Sequence, residues 1–279
     1  RFDEEFIVGD IRHLHRYITA IDIWGDLRYI EDKGRFLIAM FNYSKKFNIP
    51  VNIPPEAQKL VDKLVAKNKD NLKELIKKEI ALHGNECDLN HIDVSQVRDM
   101  SELFFKSNFN GDISGWDTSN ALIMENLFSY SLFNGDISKW DTYSVVAMGY
   151  MFNHAAFNGD ISEWNVSKVQ SMSYMFDSSK FDGDISQWNT SSVRNLYRMF
   201  AHSSFNGDIS GWDVSNVECM NGMFANSNFN VDISSWNALN VQSFNNIFFD
   251  IIFQNCQIGT EFIVRMYVFC VILFCHFAE

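Results

Sequence analysis

Phe109–Asp117 reads FNGDISGWD, and the string returns as FNGDISKWD from Phe133, FNGDISEWN from Phe157, FDGDISQWN from Phe181, FNGDISGWD from Phe205 and FNVDISSWN from Phe229, each time 24 residues on. Between these strings a second signature keeps the same phase: Met100/Leu103/Phe104, Met124/Leu127/Phe128, Met148/Met151/Phe152, Met172/Met175/Phe176, Leu196/Met199/Phe200, Met220/Met223/Phe224 and Phe244/Ile247/Phe248. A fixed period of this size marks segments that bury their apolar sides only against their neighbours. The spacing predicts an α/β repeat solenoid of about seven coils over residues 85–252, each coil a short strand plus a brief helix.

In the segment from Phe157 to Lys180, Asp160–Trp164 is the expected strand. Ile161 and Trp164 lie three apart and cannot share a face of an alternating strand, so a bend near Glu163 is expected. Ser167 opens the expected helix, with Val169, Met172, Met175 and Phe176 as core and methionine filling irregular gaps.

Outside the repeats, residues 1–53 form an N-terminal region of unknown role, with a helix expected near 35–46. Residues 54–84 read as a helical cap. Pro54-Pro55 suit a first turn, followed by Leu60, Val61, Leu64 and Val65. A second helix starts at Asn71 with Glu74 completing a capping box, buries Leu72, Leu75, Ile76 and Ile80, and stops at Gly84. Residues 253–279 are a degenerate cap or tail. Their apolar run from Met266 to Cys275 falls short of the roughly 20 residues that a membrane helix needs, so an anchor is not expected; a capping strand and an unnatural continuation are the other readings.

Charge divides unevenly. Residues 85–279 carry 8 Lys/Arg against 22 Asp/Glu, while residues 1–84 carry 15 against 13. An acidic array repels phosphate backbones, which excludes nucleic acid as the expected partner. The five cysteines, at 87, 219, 256, 270 and 275, have neither zinc-site nor disulfide-framework spacing. No apolar run lies near Arg1, so a secretory leader is absent or was removed. None of the nucleotide-loop, nucleophile-elbow or zinc-protease motifs occurs; the expectation is no enzyme, no cofactor and no metal. The glycosylation sequons at Asn42, Asn165 and Asn189 would matter only in a eukaryotic secretory pathway.

Registry turns positions into columns. Asp112, Asp136, Asp160, Asp184, Asp208 and Asp232 form one, read as a turn device that accepts backbone N–H bonds, with calcium bridging as the alternative. A second, at 93, 117, 141, 165, 189, 213 and 237, exchanges Asp for Asn, as hydrogen-bond acceptors can. Two columns vary: Asn126, Tyr150, Tyr174, Arg198, Gly222, and beside it Tyr130, His154, Ser178, His202, Asn226. With Tyr197 these give an aromatic and basic stripe of the composition favoured at interaction hot spots. The candidate partner-binding residues are therefore Tyr150, Tyr174, Arg198, His154, His202, Tyr130 and Tyr197, on a helix surface facing away from the core.

The units FNGDISxWD, VSxV and xxMxxMF, entered through CDLNHIDVSQVRDMSELF at Cys87–Phe104, resemble the BspA-like leucine-rich-repeat-type surface proteins with mycoplasma lipoprotein-type repeats. The resemblance implies a right-handed, non-enzymatic solenoid that recognises a host matrix or cell-surface protein, or another bacterial protein, through its variable face. It implies a cell-surface or secreted, adhesion-type protein. The other reading is a cytoplasmic scaffold, the array acting as a spacer for the N-terminal region.

Overall fold

The computed structural model of the chain describes residues 64–248. The helices expected at 35–46 and from Pro54, and the tail after 252, lie outside the described residues. The chain divides into two compact units, Arg1–Val65 and Ala66–Glu279.

Among the described residues one element is helical, α1 at Lys69–His83. Its cap lies three residues before the expected Asn71, at Asn68, whose side chain accepts the Asn71 N–H at 2.9 Å. Gly84, at φ 85°, ends the helix, its N–H donating to the Ile80 carbonyl. Leu72 and Ile76 are buried in the core, with Leu75 and Ile80 packed against it. Glu79 is also buried, its carboxylate 3.1 Å from the His91 imidazole. Lys69 fixes the other end, 3.1 Å from the Asp99 carboxylate.

The expected α/β solenoid of strand-plus-helix coils is corrected. The described residues of the 24-residue segments contain no strand and no helix; they are chains of tight turns. Where a strand was expected at Asp160–Trp164, the chain turns, Trp164 N–H donating to the Ile161 carbonyl at 3.2 Å. Among the described residues the parallel bridges are isolated ones, Asp88 with Asp112, then Asp99 with Ile123 and onward through Ala147, Ser171, Asn195 and Cys219 to Ser243.

The expected helices fail for a backbone reason. Tyr174 and Ser178, four apart, have φ 57° and 56°, and a left-handed residue every fourth position interrupts an α-helix. Alternate N–H groups instead leave the segment: Met172, Tyr174, Phe176 and Ser178 donate to the carbonyls of Asn195, Tyr197, Met199 and Ala201. The intervening ones close local turns, Met175 to Met172, Asp177 to Tyr174 and Ser179 to Phe176. In the turn Met172–Met175 the left-handed residue occupies the third place, which identifies a type II turn, where glycine or asparagine is the low-cost choice.

These turns still deliver a core. Met172, Met175, Phe176, Phe181 and Trp164 and their counterparts are buried. Phe176 stacks on Phe181 at 4.3 Å and on Phe200, 24 residues on, at 5.7 Å. Trp164 donates its indole N–H to the Ile137 carbonyl at 3.0 Å, and Trp188 to Ile161 at 3.1 Å. Each buried indole thus keeps its polar end satisfied while its ring adds apolar area. Gly111 is a close approach: a Cβ there would overlap the Cys87 carbonyl oxygen.

Candidate functional site: the left-handed turn edge

The two variable columns are the two left-handed columns. Asn126, Tyr150, Tyr174, Arg198 and Gly222 lie at φ 51° to 60°, and Tyr130, His154, Ser178, His202 and Asn226 at 52° to 56°. Glu102 and Lys106 precede them at 61° and 54°. Bulky residues rarely adopt this region. The expectation that these residues lie on a helix surface is corrected accordingly: they are the corners of turns.

The structure gathers the candidates into two groups. Tyr150 stacks on Tyr174 at 4.3 Å, Tyr174 meets Tyr197 at 5.0 Å, and the Arg198 guanidinium lies 5.5 Å from the Tyr174 ring centre. Burial, then hydrogen bonding with Tyr197, pushes the Tyr174 hydroxyl well above the ordinary tyrosine range. Arg198 turns inward. Its Nε is 3.1 Å from the carboxylate of Asp177, which is buried and also accepts the Ser178 hydroxyl. Behind it runs a polar line in which Asn153 donates to the Asp177 carbonyl and accepts from Ser129.

The second group is open. Tyr130 stacks on His154 at 4.4 Å and meets Phe105 edge-on at 6.2 Å. The Lys106 ammonium lies 5.1 Å from the Phe105 ring centre and 5.6 Å from that of Tyr130. Phe105, Tyr130 and Leu132 are 40%, 48% and 58% exposed. Backbone bonds hold this ledge in place: Lys106 donates to Ser129, Tyr130 to Asn153 and Leu132 to Ser107. Exposed Glu102 and Glu125 lie in the adjoining turns, joined by a backbone bond from Glu102 N–H to the Glu125 carbonyl, while Phe105 N–H donates to the Glu102 carbonyl. His202 stands exposed at its own left-handed corner, two segments beyond His154.

Phe105, Lys106, Leu132 and Asp177 were missed by the sequence reading, although for Phe105 and Leu132 a signal existed. Phe105 heads a column that continues Ser129, Asn153, Asp177, Ala201, Ala225, and Leu132 sits in one reading Asn108, Ala156, Lys180, Ser204, Asn228. Phe105 and Leu132 are each a large apolar residue where the rest of the column is small or polar; Lys106 and Asp177 carried no such signal.

The acidic column has a local use. Asp112, Asp136, Asp160, Asp184, Asp208 and Asp232 each accept the N–H of the serine two residues on. Bonds from Ser138 and Ser162 hold the Asp136 and Asp160 carboxyls below the usual range; at Asp112, burial opposes the shift but is outweighed by Ser114 and Asn90. Members of the Asp/Asn column do the same, Asp213 and Asn165 accepting from Ser215 and Ser167. Among the described residues no group of three or more His, Cys, Asp or Glu side chains could hold a metal ion, and no helix is long and apolar enough to cross a membrane.

The profile of the family described as "Mycoplasma protein of unknown function, DUF285" matches residues 70–180 and 156–260. The chain belongs to this family. The match takes in α1 from Asp70 onward and both groups of candidate residues. No curated protein and no solved structure matches the chain. The resemblance to BspA-like leucine-rich-repeat surface proteins is thereby corrected: the family that matches is this one, and the turn-built segments lack the strands of a leucine-rich-repeat-like solenoid. The function drawn from that resemblance, adhesion through the variable face of a solenoid or a scaffold built on one, loses its structural basis with it.

Proposed function

We propose that the chain is a non-enzymatic binding protein whose ligand is another protein, met at the open aromatic corners between Phe105 and Tyr150. One observation carries this reading. Tyr130 and Tyr150 occupy left-handed turn corners at φ 56° and 59°, in columns where Asn226, Asn126 and Gly222 make the same corner. The left-handed conformation costs a residue with a Cβ roughly 1–2 kcal/mol, and although each ring stacks on one neighbour, 48% of Tyr130 and 36% of Tyr150 stay exposed. Rings kept at a backbone cost, on the outside, fit side chains retained for contact with something else. Tyrosine suits such contact because its ring is apolar and its hydroxyl can stay hydrated. The surplus of carboxylates argues for a protein over a nucleic acid.

The test is affinity capture with the whole chain as bait, beside a Tyr130→Asn/Tyr150→Asn variant whose melting curve shows it folded. A protein partner retained by the native chain and lost by the variant is the expected result. Capture profiles that do not differ would remove the reading.

A further inference from the structure

Resting on that reading, the geometry points to an arginine-bearing, cationic segment of the partner protein as the occupant of the Phe105–Tyr130–Leu132 ledge. Two observations select this chemistry. The ledge already holds a cation: Lys106 places its ammonium near both rings, at 5.1 Å and 5.6 Å, within reach of the negative ring faces. The same pairing recurs where Lys168 sits 3.7 Å from the Tyr143 ring centre. The second observation is charge. Glu102 and Glu125 are exposed in the adjoining turns, Phe105 N–H donating to the Glu102 carbonyl and Glu102 N–H to that of Glu125. Residues 85–279 carry 22 Asp/Glu against 8 Lys/Arg, so a cationic segment is drawn in and an anionic one repelled.

Arginine fits better than lysine. Its guanidinium is planar and weakly hydrated, stacks on an aromatic face and can donate to a carboxylate at the same time. Leu132, more than half exposed, gives the aliphatic stem of such a side chain an apolar floor. Lys106 then acts as an internal competitor, occupying the rings until a partner's guanidinium displaces it.

The experiment titrates an oligoarginine peptide, an oligolysine peptide and a neutral leucine/serine peptide into the whole chain at physiological salt. It is repeated with Phe105→Ser/Tyr130→Asn, Glu102→Gln/Glu125→Gln, Lys106→Gln and the distant control Asp184→Asn/Asp208→Asn. The expected order is oligoarginine over oligolysine over the neutral peptide. Oligoarginine weakens about tenfold on loss of the rings, weakens on loss of the two glutamates, is unchanged in the control, and tightens about threefold in Lys106→Gln. Equal binding to the ring variant and the native chain would overturn the proposal, as diffuse acidity would then explain it. No oligoarginine binding, or a preference for the neutral peptide, would overturn it as well. Neither result touches the capture of a protein partner, which stands or falls on its own assay.

Discussion

The corner at Tyr174–Arg198 and the corner at Phe105–Leu132 use the same backbone and come to opposite ends. At both, residues with φ above 50° donate N–H groups to the next segment. Around Tyr174 every outward group finds an internal partner: rings on either side, a guanidinium beside the ring, and buried Asp177 drawing that guanidinium in. Around Tyr130 the position equivalent to Asp177 is Phe105, 72 residues earlier in register, and no buried acid is there to recruit a side chain inward. The ledge stays exposed, with Lys106 and the His154 ring against Tyr130. Glu102, Glu125 and Asn126 likewise stand 72 residues before Tyr174, Tyr197 and Arg198, so differences at several register positions separate a self-satisfied corner from one free to meet a partner.

The largest effect should come from stranding the buried carboxylate. Arg198→Ala leaves Asp177 in the interior without its cation, at an expected cost of about 3 kcal/mol in urea unfolding, and adding Asp177→Asn in the same chain should recover most of it. A loss that the second change does not recover would mean that Arg198 acts through packing alone. Gly222→Ala probes the same corner one segment on. The new Cβ would sit at φ 60° and 3.2 Å from Arg198 Cγ, and a loss of about 1–2 kcal/mol is expected.

Alkali should find the closed corner too. The Tyr174 hydroxyl ionises above the ordinary value of 10.0 because burial, then hydrogen bonding, favours its neutral form. A raised pKa contributes stability that is intact below pH 10 and is lost as pH rises from there. Ultraviolet titration should show a late tyrosine phase in the native chain that is diminished in Tyr174→Phe. The smallest effect belongs to the ledge: Leu132→Ser, at a largely exposed site, should move stability by less than about 0.5 kcal/mol. A larger loss would place Leu132 in the packed structure and weaken the contrast between the corners.

How much of this was legible beforehand depends on what the backbone does at each position. The burial of Met172, Met175, Phe176 and Trp164 could be read because apolar identity at fixed phase reflects packing, whatever conformation carries it. Their helix could not, because turns with a left-handed residue every fourth position bury side chains at nearly the spacing of an α-helix. The clue lay in Asn126, Gly222 and Asn226, residues that tolerate φ above 0, at the very positions that vary. Tyrosine, arginine and histidine in the same columns masked it and suggested a solvent-facing helix. The inward turn of Arg198 was invisible for another reason: it depends on Asp177, 21 residues away, which only the fold brings beside it. Asn68 was passed over as a cap because Asn71 and Glu74 together imitate a capping box.

The contrast between the corners is tested most directly by thermal unfolding of Tyr174→Asn beside Tyr130→Asn. Both changes relieve a left-handed tyrosine in the same way, so the difference in their midpoints reports what each ring does in the folded chain. Tyr174→Asn also loses contacts with Tyr150, Tyr197 and Arg198, and its midpoint should fall by about 4 °C, corresponding to 1–2 kcal/mol. Tyr130→Asn should stay within about 1–2 °C of the native chain, the backbone relief offsetting the lost contact with His154. Equal losses, or a larger one at Tyr130, would show that the ledge is part of the structure's own support and contradict its assignment as the open corner.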